Sequence, residues 1–195
     1  MARQIEYDRQ KVQQSLTDLF WQKGFAETSL AELEAASGLN RRQLYNGIGD
    51  KHAMFVAALD TFTEQAGRQF LAALESKDAG LGDIEALLRL FALAASTDSP
   101  PRGCLVCTAS QEEIAGDGAV SGRIDAYFSR IRAAYRNALQ RATDRGELKL
   151  DAAAADLRTD ALFGVHVALC VLGRAGRPGD ELNRMVDQAL KDLRA

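Results

Sequence analysis

Proline is almost missing from this chain. Only Pro100, Pro101 and Pro178 occur among 195 residues, each where a helical pattern stops, so little interrupts long helices. Cysteine is scarce as well. Cys104, Cys107 and Cys170 are an odd number, which argues against a secreted disulfide framework and for a reducing cytoplasm. No unbroken apolar run approaches the ~20 residues a membrane span needs. The polar start Met1-Ala2-Arg3-Gln4-Ile5-Glu6-Tyr7 has no signal-peptide core. Charge of one sign is also missing: 24 Lys and Arg against 27 Asp and Glu leave a net −3. Any affinity for nucleic acid must therefore come from a local basic patch on an acidic body. Two histidines, with no G-x-S-x-G, P-loop or H-E-x-x-H, leave little for catalysis. Cys104-x-x-Cys107 alone is an incomplete ligand set, so neither a metal nor another cofactor is expected.

What is present is a spacing of apolar residues at three and four, with no strand-like alternation. That predicts an all-α fold of about nine helices. They are expected near 8–23, 29–36, 40–46, 50–76, 83–96, 102–115, 119–145, 151–174 and 179–194. Val12, Leu16, Leu19 and Phe20 make one face of the first, and Gly24 ends it. Ser29 with Glu32, and Asn40 with Gln43, have the spacing of capping boxes. Gly47 and Gly49 break the third helix, and Asp50 caps a long fourth one.

Residues 29–46 thus read as a short helix, a glycine turn at Ser37-Gly38-Leu39, and a second short helix, the helix-turn-helix arrangement. The second helix is too polar for simple core packing. Asn40, Arg41, Arg42, Gln43, Tyr45 and Asn46 can all reach DNA, and only Leu44 is plainly a packing residue. Arg pairs bidentately with guanine, and Asn or Gln with adenine. Tyr45, Lys51 and the hydroxyls of Thr28 and Ser29 suit phosphates, as do free N–H groups opening the second and fourth helices. Arg41, Arg42 and Lys51 face one acid, Asp50, within residues 41–51.

The run Gly24-Phe25-Ala26-Glu27-Thr28-Ser29-Leu30, then Ala36-Ser37-Gly38-Leu39-Asn40-Arg41-Arg42-Gln43-Leu44-Tyr45-Asn46, then Asp50-Lys51-His52-Ala53-Met54-Phe55, closely resembles the TetR family of regulators over about residues 10–60. The resemblance implies a three-helix DNA-binding head, residues 1–50, and an effector-binding and dimerisation domain, residues 51–195. It further implies a homodimer on palindromic double-stranded operator DNA, most often a repressor released by a small molecule. The chain departs from the family pattern at Ile48, where an aromatic is usual, at Gly47, often His, Asn or Tyr, and at His52, often Glu.

In the C-terminal region, an Arg-Gly-Cys-Leu element at Arg102 to Leu105 is similar to a subset of these regulators that sense oxidants or electrophiles. Cys104 and Cys107 share a helix face, and Arg102 would lower a nearby thiol pKa. Plain packing is the competing reading for both. His166 and Cys170 lie one turn apart in an apolar helix, and with Phe128 and Phe163 they are candidates for an effector cavity, or for core. Ala161, Gly164 and Ala168, with Met185, Val186 and Ala189 of the last helix, suit a two-fold bundle between subunits, or intrachain packing. The alternatives to a regulator are an all-helical enzyme or an adaptor without DNA affinity.

Overall fold

The structure, a computed structural model, describes residues 7–97 and 102–194. Pro100, Pro101 and the stretch before Tyr7 lie outside the described residues. Those described form helices and turns, with no strand among them. Helix α1 (Arg9–Lys23) opens on Asp8, whose carboxylate accepts from the N–H groups of Gln10 and Lys11. It ends at Gly24, whose φ of 83° only glycine adopts without strain. Helices α2 (Leu30–Ser37) and α3 (Arg41–Gly47) follow, and both predicted capping boxes are formed. Leu33, Leu39 and Leu44 are buried and join α2 and α3 to the core. Helix α4 (Lys51–Ala66) packs along α1 through Met54, Phe55, Ala58, Leu59 and Phe62. It belongs physically to the head as much as to the body.

Two expected helices are interrupted. The stretch predicted as one helix over 50–76 holds a π-helical turn, Gly67–Leu71, before α5 (Ala72–Glu75). The guanidinium of Arg130, bridged to Glu75, lies where a side chain on Gly67 would be. The stretch predicted as helix over 102–115 shrinks to α7 (Leu105–Ala109) and a 3-10 turn (Glu113–Gly116). Gly103, at φ 63°, sits against the carbonyl of Cys170, so the chain bends there before α7 begins.

The body is completed by α6 (Leu81–Thr97), α8 (Gly118–Asp144), α9 (Ala152–Arg174) and α10 (Gly179–Arg194). α9 packs on α6, α8 and α10. One continuous apolar core runs from Val12 in the head to Leu193 in the body. No helix among the described residues is long and apolar enough to cross a membrane.

Candidate functional site

Burial of Leu44 fixes which side of α3 faces out. Arg41, Arg42, Tyr45 and Asn46 are exposed on that side, and Tyr45 keeps 43% of its surface. An outward aromatic on so short a helix has no packing role. Arg41 Nε lies 3.4 Å from Glu34 Oε1, a bridge that holds it toward α2. Asn40 and Gln43 are partly spent: each side-chain oxygen accepts the other's backbone N–H at 3.0 Å. What they can offer a base is the amide NH2. Lys51 stands over the Phe25 ring, 4.4 Å from its centroid.

Thr28 does not belong to this surface. It is 1% exposed and its hydroxyl donates to the Gly24 carbonyl at 2.6 Å, so it braces the α1–α2 turn. At the start of α2, two of the donors expected to meet phosphate are already taken. The Ser29 N–H donates to Glu32 Oε2 at 2.9 Å, and the Ser29 hydroxyl accepts from the Glu32 N–H. Bonds from Lys23 and Ser29 hold the Glu32 carboxyl down at about 2, so a fixed negative charge stands there. At α4 the Ala53 N–H is likewise taken, by Asp50 Oδ1 at 2.8 Å.

The head is tied to the body by groups that sequence patterns do not reveal. Glu112 accepts from the N–H groups of Phe25 and Ala26, at 2.8 and 3.4 Å to Oε2. Arg174, at the end of α9, donates to three backbone carbonyls: Trp21 at 2.9 Å, Gln22 at 2.9 Å and Arg102 at 2.8 Å. His52 Nε2 lies 3.0 Å from Asp117 Oδ1, at the N-cap of α8, and this contact holds the Asp117 carboxyl below its usual range. Arg123 makes a two-pronged bond to Asp60, at 2.6 and 2.8 Å.

Beside this junction lies a cavity of about 420 Å³. Trp21 of the head forms part of its wall. Phe62, Phe70, Phe91 and Tyr127 continue the wall as ring-to-ring contacts: Trp21–Phe62 at 5.1 Å, Phe62–Tyr127 at 6.3 Å and Phe70–Phe91 at 5.5 Å. Cys104, His166 and Cys170, three of the predicted effector residues, also line it. Phe128 and Phe163 do not. They pair with each other at 5.4 Å elsewhere between α8 and α9, and Arg132 covers Phe163 at 3.7 Å. Cys107 faces a smaller pocket with Gln111 and Arg174.

The three thiols are buried and adjoin one another. Thiol hydrogen bonds from Cys107, then Cys170, pull the Cys104 pKa well below the usual thiol value, and their own bonds to Cys104, with burial adding to it, push Cys107 and Cys170 up. The expected cause, Arg102, is not the one acting. Its guanidinium points to Asp18 Oδ1, 3.4 Å away, and stacks on Trp21. Burial pulls His166 down to about 4, so its ring is neutral near pH 7. Its Nδ1 is 3.1 Å from the Tyr135 hydroxyl, and burial also pushes that phenol up. No group of three or more His, Cys, Asp or Glu side chains among the described residues, the three thiols included, is arranged to hold a metal ion.

On α9, Ala161 and Gly164 are exposed and Ala168 is half-buried, in line with Leu157, which is 73% exposed. On α10, Met185 and Ala189 are half-buried. Val186 is not available to a partner: it is fully buried with Leu182, Leu190 and Leu193 against its own chain. Sequence reasoning missed Leu157, whose exposure is settled only by how α9 packs.

Comparison with known proteins matches residues 80–186 to the family described as tetracyclin repressor-like, C-terminal domain. The HTH-type transcriptional regulator YezE of Bacillus subtilis (strain 168) is 23% identical over 193 residues, 99% of this chain and 100% of YezE. The HTH-type transcriptional repressor ComR of Escherichia coli (strain K12) is 30% identical over 103 residues, 51% of this chain and 48% of ComR. Among solved structures, a cysteine mutant of the regulator CifR, complexed with 26-bp double-strand operator DNA, superposes with a TM-score of 0.86. It is 26% identical and covers 98% of this chain and 100% of its own. Reduced NemR of E. coli gives 0.80 at 18% identity, over 95% of this chain and 96% of its own, a likeness of fold.

Proposed function

The chain belongs to the TetR family of DNA-binding transcriptional regulators, and from that premise we propose that it is a homodimeric repressor, released from a palindromic operator by an effector that enters the body. It is not an enzyme. Residues 1–50 form the DNA-reading head, and residues 51–195 bind effector and dimerise. The setting is the cytoplasm, where operator DNA is found.

The single observation that carries this reading is the outward face of α3, where Arg41, Arg42, Tyr45 and Asn46 stand exposed while Leu44 anchors the helix. Arg42 and Asn46 read base edges. Tyr45, Lys51 and the amide groups of Asn40 and Gln43 position the helix on the backbone and adjacent bases. The operator complex of CifR, a protein of the same fold over nearly the whole chain, supports this docking. The dimer forms through Leu157, Ala161, Gly164 and Ala168 of α9 with Met185 and Ala189 of α10, where small side chains let two helices approach closely.

Effector binding shifts the population between dimers whose heads fit successive major grooves, ~34–36 Å apart, and dimers whose heads do not. The test is operator binding by wild type and Arg42→Ala at several salt concentrations. A drop of roughly ten- to hundredfold, as expected for losing a bidentate base contact, supports the reading. Equal affinity removes α3 from the interface.

A second trigger is favoured by the adjoining thiols, two of which line the cavity. Oxidation or alkylation at Cys104 would alter the cavity wall directly.

A further inference from the structure

We propose that the junction cavity recognises a neutral, flat, largely apolar molecule carrying one hydrogen-bond acceptor, such as an aryl ketone, with the acceptor on His166 Nε2 and the ring system among Trp21, Phe70 and Phe91. This rests on the reading that the chain answers to an effector, and it names that effector's chemistry.

Three observations point the same way. At about 420 Å³ the cavity is far larger than the voids a close-packed core leaves, and it falls within the range of small-molecule sites.

The second observation is the π turn at Gly67–Leu71. It interrupts an otherwise regular helix and carries both Gln69 and Phe70 onto the cavity wall. Such turns are less favourable than continued α-helix and recur where a helix must re-aim side chains at a site. Glycine at 67 permits it by leaving room for Arg130.

The third is the state of His166. The ring is neutral, and the Tyr135 phenol, kept protonated by burial, lies 3.1 Å from Nδ1 with no other hydrogen-bond partner among the described residues, so only the pairing in which it donates to Nδ1 satisfies its buried proton. The imidazole proton is therefore on Nε2, and His166 lines the cavity as a donor. The ligand must supply the acceptor. An anionic ligand is disfavoured because the cationic wall residue Arg102 is already engaged with Asp18 and stacked on Trp21, while the Cys104 thiol, held toward its thiolate, lines the same wall; no carboxylate lines it to pair with a cation.

The test uses the purified full-length protein and three probes of one shape: 2-acetonaphthone, 2-methylnaphthalene and 2-naphthoate, titrated by calorimetry. The ketone binds and quenches Trp21, the sole tryptophan. The hydrocarbon binds roughly tenfold more weakly, the worth of one buried hydrogen bond, and the carboxylate does not bind. His166→Phe brings the ketone down to the hydrocarbon, and His166→Gln, which keeps an N–H donor, retains the preference. Should the phenylalanine variant fail to fold, the three-probe ranking in wild type decides. Equal binding of ketone and hydrocarbon by wild type, tight binding of the naphthoate, or no ketone binding overturns the proposal. Operator release by the ketone is read separately on DNA. Binding without release retains the site and refutes the effector reading.

Discussion

The indole Nε1–H of Trp21 donates to the carbonyl oxygen of Gly103 at 2.9 Å. One partner lies in the last turn of α1, and the other immediately precedes Cys104 at the start of α7. The same indole is a wall of the junction cavity, so a molecule that fills the cavity touches the head without an intermediary. Trp21→Phe keeps the aromatic wall and removes the bond. It should cost roughly 1–3 kcal/mol of stability for the lost bond and ring volume, and reduce the response of operator affinity to effector by more than it weakens effector binding itself. Effector titration with and without operator measures both; a full response in the variant would show that the bond carries no signal.

Thr28 and Arg42 should separate cleanly. Thr28→Val removes a buried hydroxyl bonded to Gly24 O and leaves that carbonyl unpaired, at a cost of about 1–3 kcal/mol. Affinity for operator per folded molecule should hardly change. Chemical denaturation and a binding isotherm on the same sample decide it, and a specific loss of affinity would return Thr28 to the interface.

Leu157 is the most exposed large apolar residue of the body, at 73%, on the small-residue face of α9. Leu157→Arg should shift sedimentation toward the monomer and weaken operator binding, because two heads on one palindrome depend on the dimer. An unaltered dimer would place the interface elsewhere.

Acid should act on His166 before it acts on the paired carboxylates. Its pKa lies near 4 in the folded chain against about 6.5 when unfolded. Between those values the unfolded chain binds the proton and the folded chain does not. Stability is therefore complete above about pH 6.5 and is lost as pH falls toward 4, by about 3 kcal/mol in all. Denaturation curves across that window should lose this slope in His166→Gln, and an identical slope would assign the effect to other groups.

Peroxide should weaken operator binding through Cys104. Its thiolate attacks one peroxide oxygen, giving a sulfenic acid and hydroxide, and a neighbouring thiol then displaces hydroxide to form a disulfide. The overall exchange consumes two thiols and one hydrogen peroxide and yields two waters. Cys104→Ser should be insensitive. Equal loss of binding in the variant, or no loss in wild type, ends the redox trigger.

The head was legible because its signals are local. Ser29 with Glu32, and Asn40 with Gln43, fix helix starts through bonds three residues apart, and both formed as read. Which residues of α3 stand outward was nearly as clear, since Leu44 alone had to be inside. Thr28 was misplaced because a hydroxyl next to a cap looks the same in sequence whether it points to water or to the carbonyl four residues back. The body was harder. Phe128 and Phe163 share apolar helices with cavity residues, and only the way α8 and α9 cross decides which ring meets which space. Val186 reads like its neighbour Met185 until α10 is seen to turn it inward. The π turn had no sequence signature beyond Gly67, and the group that occupies the space beside that glycine, Arg130, lies more than sixty residues away.

The grip of Arg174 has an evolutionary corollary. Its guanidinium holds main-chain oxygens at Trp21, Gln22 and Arg102, never their side chains. Substitution at Gln22 therefore leaves the clasp whole, and that position is free to drift. Arginine at 174 has no such latitude: lysine, with one nitrogen in place of a planar fork, could not span three carbonyls in the same way. Drift among descendants of this chain should accordingly spare position 174 while position 22 diverges.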